Sequence, residues 1–118
     1  MSVSAQFKEF LLEQMAGFGP VTIRAMFGGA GVYHDGLMFA LVYDEALYFK
    51  VDETSRSAFE SEKLPPFVYS RKGGKKIDMS YFRSPERCLD DADEMAQWCR
   101  VAFGVALKAK ASKKPKNR

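Results

Sequence analysis

Between residues 21 and 51 the chain offers four strand-like runs, and no link between them is long enough to hold a helix. Parallel neighbours need a crossover of a dozen or more residues, so this stretch is confined to antiparallel hairpins. Residues 21–27 read as the first run, which Gly28, Gly29 and Gly31 then break or bulge. Residues 32–34 lead into Asp35-Gly36, the strongest hairpin signal in the chain. A type I′ turn needs positive φ at both central residues, which Asp tolerates and Gly allows freely. Residues 37–43 form the next strand, and Asp44-Glu45 makes a tight turn of less suitable composition. Residues 46–51 then alternate, with Leu47, Phe49 and Val51 on one face and Tyr48 and Lys50 on the other.

Helical periodicity flanks this meander. Phe7, Phe10, Leu11, Met15 and Phe18 recur at three- and four-residue steps behind a Ser4 cap, and Gly17, Gly19 and Pro20 stop the helix. Asp52 caps a second, short helix to about Lys63, with Ala58 and Phe59 expected inward, and Leu64-Pro65-Pro66 ends it. Residues 67–71 and 76–82 read as a hairpin around Gly73-Gly74, with Ile77, Met79 and Tyr81 on one face. Ser84-Pro85-Glu86 opens a helical turn with proline in its favoured first position. Residues 91–110 make the last helix. Acids stand at its start and lysines at its end, and Met95, Cys99, Ala102, Phe103 and Ala106 lie on one face. The fold class is α+β: two layers, an antiparallel sheet packed against helices, in the order α-β(3-4)-α-β2-α. With 118 residues there is room for one domain, 1–110, followed by a basic, disordered tail at 111–118.

The formal net charge of +3 misleads when read as a whole. Six of eighteen basic residues fall in the last eleven positions, so residues 1–107 hold twelve bases against fifteen acids. That balance counts against a body dedicated to nucleic acid. The N-terminus lacks the basic and apolar regions of a secretory signal, and no apolar run approaches the ~20 residues of a membrane span. Cys88 and Cys99 form no CxxC pair and read as free thiols, so the expected location is the cytoplasm.

No catalytic chemistry assembles from this sequence. His34 is the only histidine and is expected exposed at a strand end, without a nucleophile motif such as GxSxG. One His and two separated Cys cannot supply a structural zinc site, and Asp90, Asp91, Asp93 and Glu94 lack the EF-hand spacing. The glycine run at 28–31 leads into a strand, not the helix a phosphate loop requires. The expectation is therefore a non-enzyme with no metal and no cofactor.

Binding features remain. Arg71, Lys72, Lys75 and Lys76 surround the Gly73-Gly74 turn, either as a solvated tip that blunts a strand edge or as phosphate contacts. The tail offers either solubility or salt-sensitive attraction to nucleic acid. Residues 37–42 are apolar on both faces: either neighbouring side chains cover the second face, or that face meets a partner. Tyr48 and Tyr69 extend it, and self-association through the sheet into a homodimer is expected.

The run Arg24-Ala25-Met26-Phe27-Gly28-Gly29-Ala30-Gly31-Val32-Tyr33, then Asp35-Gly36, Met38-Phe39-Ala40 and Leu47-Tyr48-Phe49-Lys50-Val51-Asp52, resembles the TfoX (Sxy) N-terminal domain family. Pro66-Phe67 with Tyr69, Met79-Ser80-Tyr81 and the piece from Pro85-Glu86 to Leu89-Asp90 continue the resemblance, which spans roughly residues 10 to 105. It implies a two-layer α+β domain. Full-length TfoX-type proteins regulate bacterial competence genes with the cyclic-AMP receptor protein and carry a second, C-terminal domain, where this chain shows only a lysine-rich tail. The resemblance implies a regulatory module working mainly through protein contacts, with transcription machinery or a regulator as partner; Arg24 of the shared motif and Tyr48 and Tyr69 of the second sheet face are the expected partner-binding residues. Weak, non-specific DNA contact through the basic hairpin and tail is the alternative.

Overall fold

The computed structural model describes residues 3–26 and 28–112, the side chain of Arg71 excepted. In chain order it contains α1 (Ala5–Gln14), β1 (Thr22–Met26), β2 (Gly29–His34), β3 (Leu37–Tyr43), β4 (Ala46–Lys50) and α2 (Glu53–Ser61). These are followed by β5 (Pro66–Arg71), β6 (Gly74–Arg83), a 3₁₀ turn (Glu86–Leu89) and α3 (Ala92–Ser112). The six strands form one antiparallel sheet in the order β1-β2-β3-β4-β6-β5. This is the α+β, two-layer class expected from the short links. Phe27 and the tail from residue 113 lie outside the described residues, and α3 continues to Ser112.

Local chemistry explains where the helices begin. The Ser4 hydroxyl accepts from the Phe7 N–H at 3.1 Å and donates to Glu45 at 3.1 Å, which fixes the start of α1 to the β3–β4 turn. Asp52 accepts from the Ser55 N–H at 2.8 Å while the Ser55 hydroxyl accepts from the Asp52 N–H at 3.1 Å, a reciprocal capping box. The Asp91 carboxylate accepts from the N–H groups of Asp93 and Glu94, so the acidic cluster includes the cap of α3. Arg87 clamps this region, binding Glu62 bidentately at 2.8 and 2.7 Å and Glu94 at 3.0 Å. Its hydrogen bond holds the Glu62 carboxyl below the ordinary glutamate range.

The main core lies between the helices and one face of the sheet. Leu11, Met15, Phe39, Phe49, Phe59 and Met95 are at most 1% exposed. Of the inward pair expected on α2, Phe59 is buried but Ala58 faces solvent. The Phe59 ring meets Phe82 and Trp98, with centroids 6.0 and 4.9 Å away.

His34 is not the exposed strand-end residue expected. Its ring packs between Phe18 and Phe103, with centroids 4.7 and 4.8 Å away, and Nδ1 donates to the Pro20 carbonyl at 2.7 Å. It fastens the loop after α1 to the end of β2 and to α3. His34→Ala therefore should lower stability by about 2 kcal/mol, the sum of lost packing and one hydrogen bond. Urea denaturation would show it, and an unchanged midpoint would refute the fastening role.

A β-bulge resolves the strand that is apolar on both faces. Val32 pairs with Ala40 but Tyr33 pairs with Met38, leaving Phe39 as an extra residue in β3. The slip turns Phe39, Ala40 and Val42 toward the helices and leaves Met38, Leu41 and Tyr43 on the outer face.

A larger slip shapes the β5–β6 hairpin. Pro66 pairs with Phe82, yet Phe67 pairs with Asp78, so Met79, Ser80 and Tyr81 of β6 face no β5 partner. The Asp78 carboxylate accepts from the Ser80 N–H at 2.9 Å within this bend. Alternation breaks here: Tyr81 is buried, whereas Ile77 and Met79 are exposed, so these three do not share the face expected of them. The bend carries the hairpin over the outer face of the sheet.

A candidate docking groove on the outer face of the sheet

A flat six-stranded sheet would hold β1 and β5 five spacings apart, roughly 24 Å at about 4.8 Å per strand. Here Met26 of β1, together with Tyr69 of β5 and Lys72 of the hairpin turn, lines a single groove of about 600 Å³. The sheet is therefore strongly curled, and its outer face is concave. A volume of this size falls within the range of sites that hold a ligand or a set of anchoring side chains.

The floor is a second apolar cluster, separate from the main core. Leu41, Phe67 and Tyr81 are buried in it, with Met26, Met38, Tyr43, Tyr48 and Tyr69 packed around them. Phe67 meets Tyr43 and Tyr48 edge-on at 5.3 and 5.0 Å and stacks on Tyr69 at 5.3 Å. These rings prop the hairpin above the sheet. Burial, then Asp78, then Tyr33 push the Tyr81 phenol up to about 12, so it stays protonated across the working pH range. At the β2 end, a Cβ on Gly31 would come within 2.8 Å of the Met38 sulfur and 3.0 Å of the Tyr33 ring. The glycine leaves that space to the thioether.

Cations sit over the aromatic rings of this face: Arg24 over Tyr33 at 5.2 Å, Lys50 over Tyr81 at 5.1 Å and Arg83 over Tyr48 at 5.9 Å. The strands and the β5–β6 turn contain seven basic residues, Arg24, Lys50, Arg71, Lys72, Lys75, Lys76 and Arg83, against the single acid Asp78. The other fourteen acids belong to the helices, the remaining turns and the connecting segments. The net negative charge of residues 1–107 thus hides a segregation by element, with bases on the strands and acids in the helices, the other turns and the links.

Of the residues expected to bind a partner, Arg24, Tyr48 and Tyr69 come to this one face. Lys72 lines the groove, whereas Lys75 and Lys76 stand exposed along β6, and the Arg71 side chain lies outside the described residues. Sequence reasoning missed Met26, Phe67 and Tyr81. The two-residue spacing of Phe67 and Tyr69 marks a common face, but which surface they meet depends on the curl. Elsewhere, Cys88 and Cys99 are fully buried, and burial pushes each thiol up to about 12. No helix among the described residues is long and apolar enough to cross a membrane, and they contain no cluster of metal-ligating side chains.

The model of the TfoX N-terminal domain matches residues 13–106. The chain belongs to this family. The matched span takes in all six strands of the TfoX N-terminal domain, every groove residue named above and most of α3. Protein Sxy of Escherichia coli (strain K12) is 27% identical over 107 residues, which amount to 90% of this chain and 50% of that protein. The chain thus spans about half the length of the curated relative it matches.

Proposed function

We propose that this TfoX N-terminal domain is a non-enzymatic, cytoplasmic regulatory module of the competence-regulator kind, and that it works by docking a protein partner in the concave outer face. The observation that carries the reading is the aromatic groove itself. One face of the sheet is closed by helices, while the other curls around about 600 Å³ lined by Met26, Met38, Leu41 and Phe67. The residues that would raise an enzymatic reading have structural surroundings instead: His34 is wedged between rings and bound to a carbonyl, and both thiols are buried and hard to ionise. A second reading, weak DNA contact through the hairpin, draws on the exposed Lys75 and Lys76.

Photocrosslinking in a bacterial host separates these readings. p-Benzoylphenylalanine replaces Tyr48 on the outer face or Val101, a half-exposed residue of α3. The expected outcome is a discrete, nuclease-resistant protein adduct from position 48 and none from position 101. Adducts from position 101 alone, or a nuclease-sensitive adduct from position 48, would overturn the docking reading.

A further inference from the structure

From the charge carried by the groove and its surroundings, and building on the docking reading above, we infer that the occupant is an acidic protein segment with large apolar anchors. The interior is apolar and adaptable, with Met26 and Met38 supplying flexible thioethers that conform to varied side chains. Lys72 and Asp78 are the charged residues of the groove lining, and Arg24 and Arg83 lie beside it over Tyr33 and Tyr48, so cations outnumber the acid among these residues. Apolar anchors would fill the groove while carboxylates meet the surrounding cations, which steers encounter and fixes orientation.

Two other occupants fit less well. Single-stranded nucleic acid binds platforms whose aromatic faces are open to stacking bases. Here Phe67 packs edge-on against Tyr43 and Tyr48, and Arg24, Lys50 and Arg83 lie over Tyr33, Tyr81 and Tyr48. A second copy docked face to face about a two-fold axis would set this cationic surface against itself, because an isologous contact joins identical patches.

The test is fluorescence anisotropy with the full chain and three labelled probes. These are an Asp/Glu-rich peptide carrying Leu, Phe and Trp, the same peptide with Lys at every acidic position, and oligothymidylate of equal length. The variants are Arg24→Glu/Lys72→Glu on the groove and Arg100→Glu/Lys110→Glu on α3, four exposed positions where substitution leaves the core intact. The acidic peptide should bind, weaken at least tenfold with the groove variant and change little with the α3 variant. The lysine peptide should gain affinity for the groove variant. If oligothymidylate binds with that same dependence and the acidic peptide does not, the partner class is overturned while the docking surface stands. If the acidic peptide binds but responds only to the α3 variant, both fall. Absence of binding by every probe overturns the inference, as does a dimer in light scattering that the groove variant disperses.

Discussion

Gly29→Ala should destabilise the fold by about 3 kcal/mol, the upper end of what overpacking costs. A Cβ at position 29 would drive into the backbone carbonyl oxygen of Val42 and reach 3.3 Å from the Tyr43 ring. A main-chain atom in the middle of a sheet cannot rotate aside, so β2 and β3 would have to separate next to the Ala30–Val42 pair. The φ of Gly29 is not positive, so the penalty is steric. The entropic benefit of replacing glycine, about 0.4–1 kcal/mol, is too small to offset it. Gly31→Ala is the control, because there the obstructing atoms are the Met38 sulfur and the rim of Tyr33, the far ends of side chains that can move. It should cost about 1 kcal/mol and crowd the groove. Urea midpoints compare the two directly. Equal losses would mean that the sheet yields at position 29 and that the glycine is not demanded by close approach.

The same two glycines show how far the sequence was legible. The run at 28–31 was readable as a backbone necessity and not a phosphate loop, since it opens a strand. Hairpin order, helix starts at Ser4 and Asp52, and the buried stripe of α3 follow from local chemistry. Asp35-Gly36 takes positive φ as its composition dictates, at 50° and 79°. Asp44 and Glu45 take 54° and 57° against the preference of Glu. There the neighbouring β3–β4 pairing imposes the turn, and tertiary context overrides local propensity. Register slips were not legible, because an extra Phe39 or the unmatched stretch 79–81 leaves no mark in a pattern of apolar residues. Those slips decide which side chains face outward. They also curl the sheet. Tyr48 and Tyr69 could therefore be placed on a second face from residues 37–42 alone, while Phe67, Tyr81 and Met26 could not. Net charge failed for a related reason: summed along the chain, it averages basic strands with acids spread over the helices, turns and links.

The fold should come apart in alkali as two thiols and one phenol are forced to ionise. Burial raises Cys88 and Cys99 from about 9 to about 12, and Tyr81 from 10 to about 12. In each case the folded state prefers the neutral, protonated form, so between pH 9 and 12 the native chain binds more protons than the unfolded one. Stability is then intact below the unfolded-state values and falls as pH rises through this window. Raising a thiol from about 9 to about 12 corresponds to about 4 kcal/mol. The thiols influence one another, since Cys88 helps to raise Cys99, so their contributions do not simply add. Even so, the combined loss is comparable with the entire stability of a domain this size, about 5–15 kcal/mol. Urea midpoints should hold steady to pH 9 and then drop steeply. At pH 8 neither thiol should react with Ellman's reagent until denaturant is added. Cys88→Ala/Cys99→Ala removes the thiol part and should move the onset of the alkaline loss from about pH 9 to about pH 10, where Tyr81 alone begins to act. An unchanged onset in that variant, or rapid thiol labelling of the native chain, would show that the space between the 3₁₀ turn and α3 opens to water more readily than its packing implies.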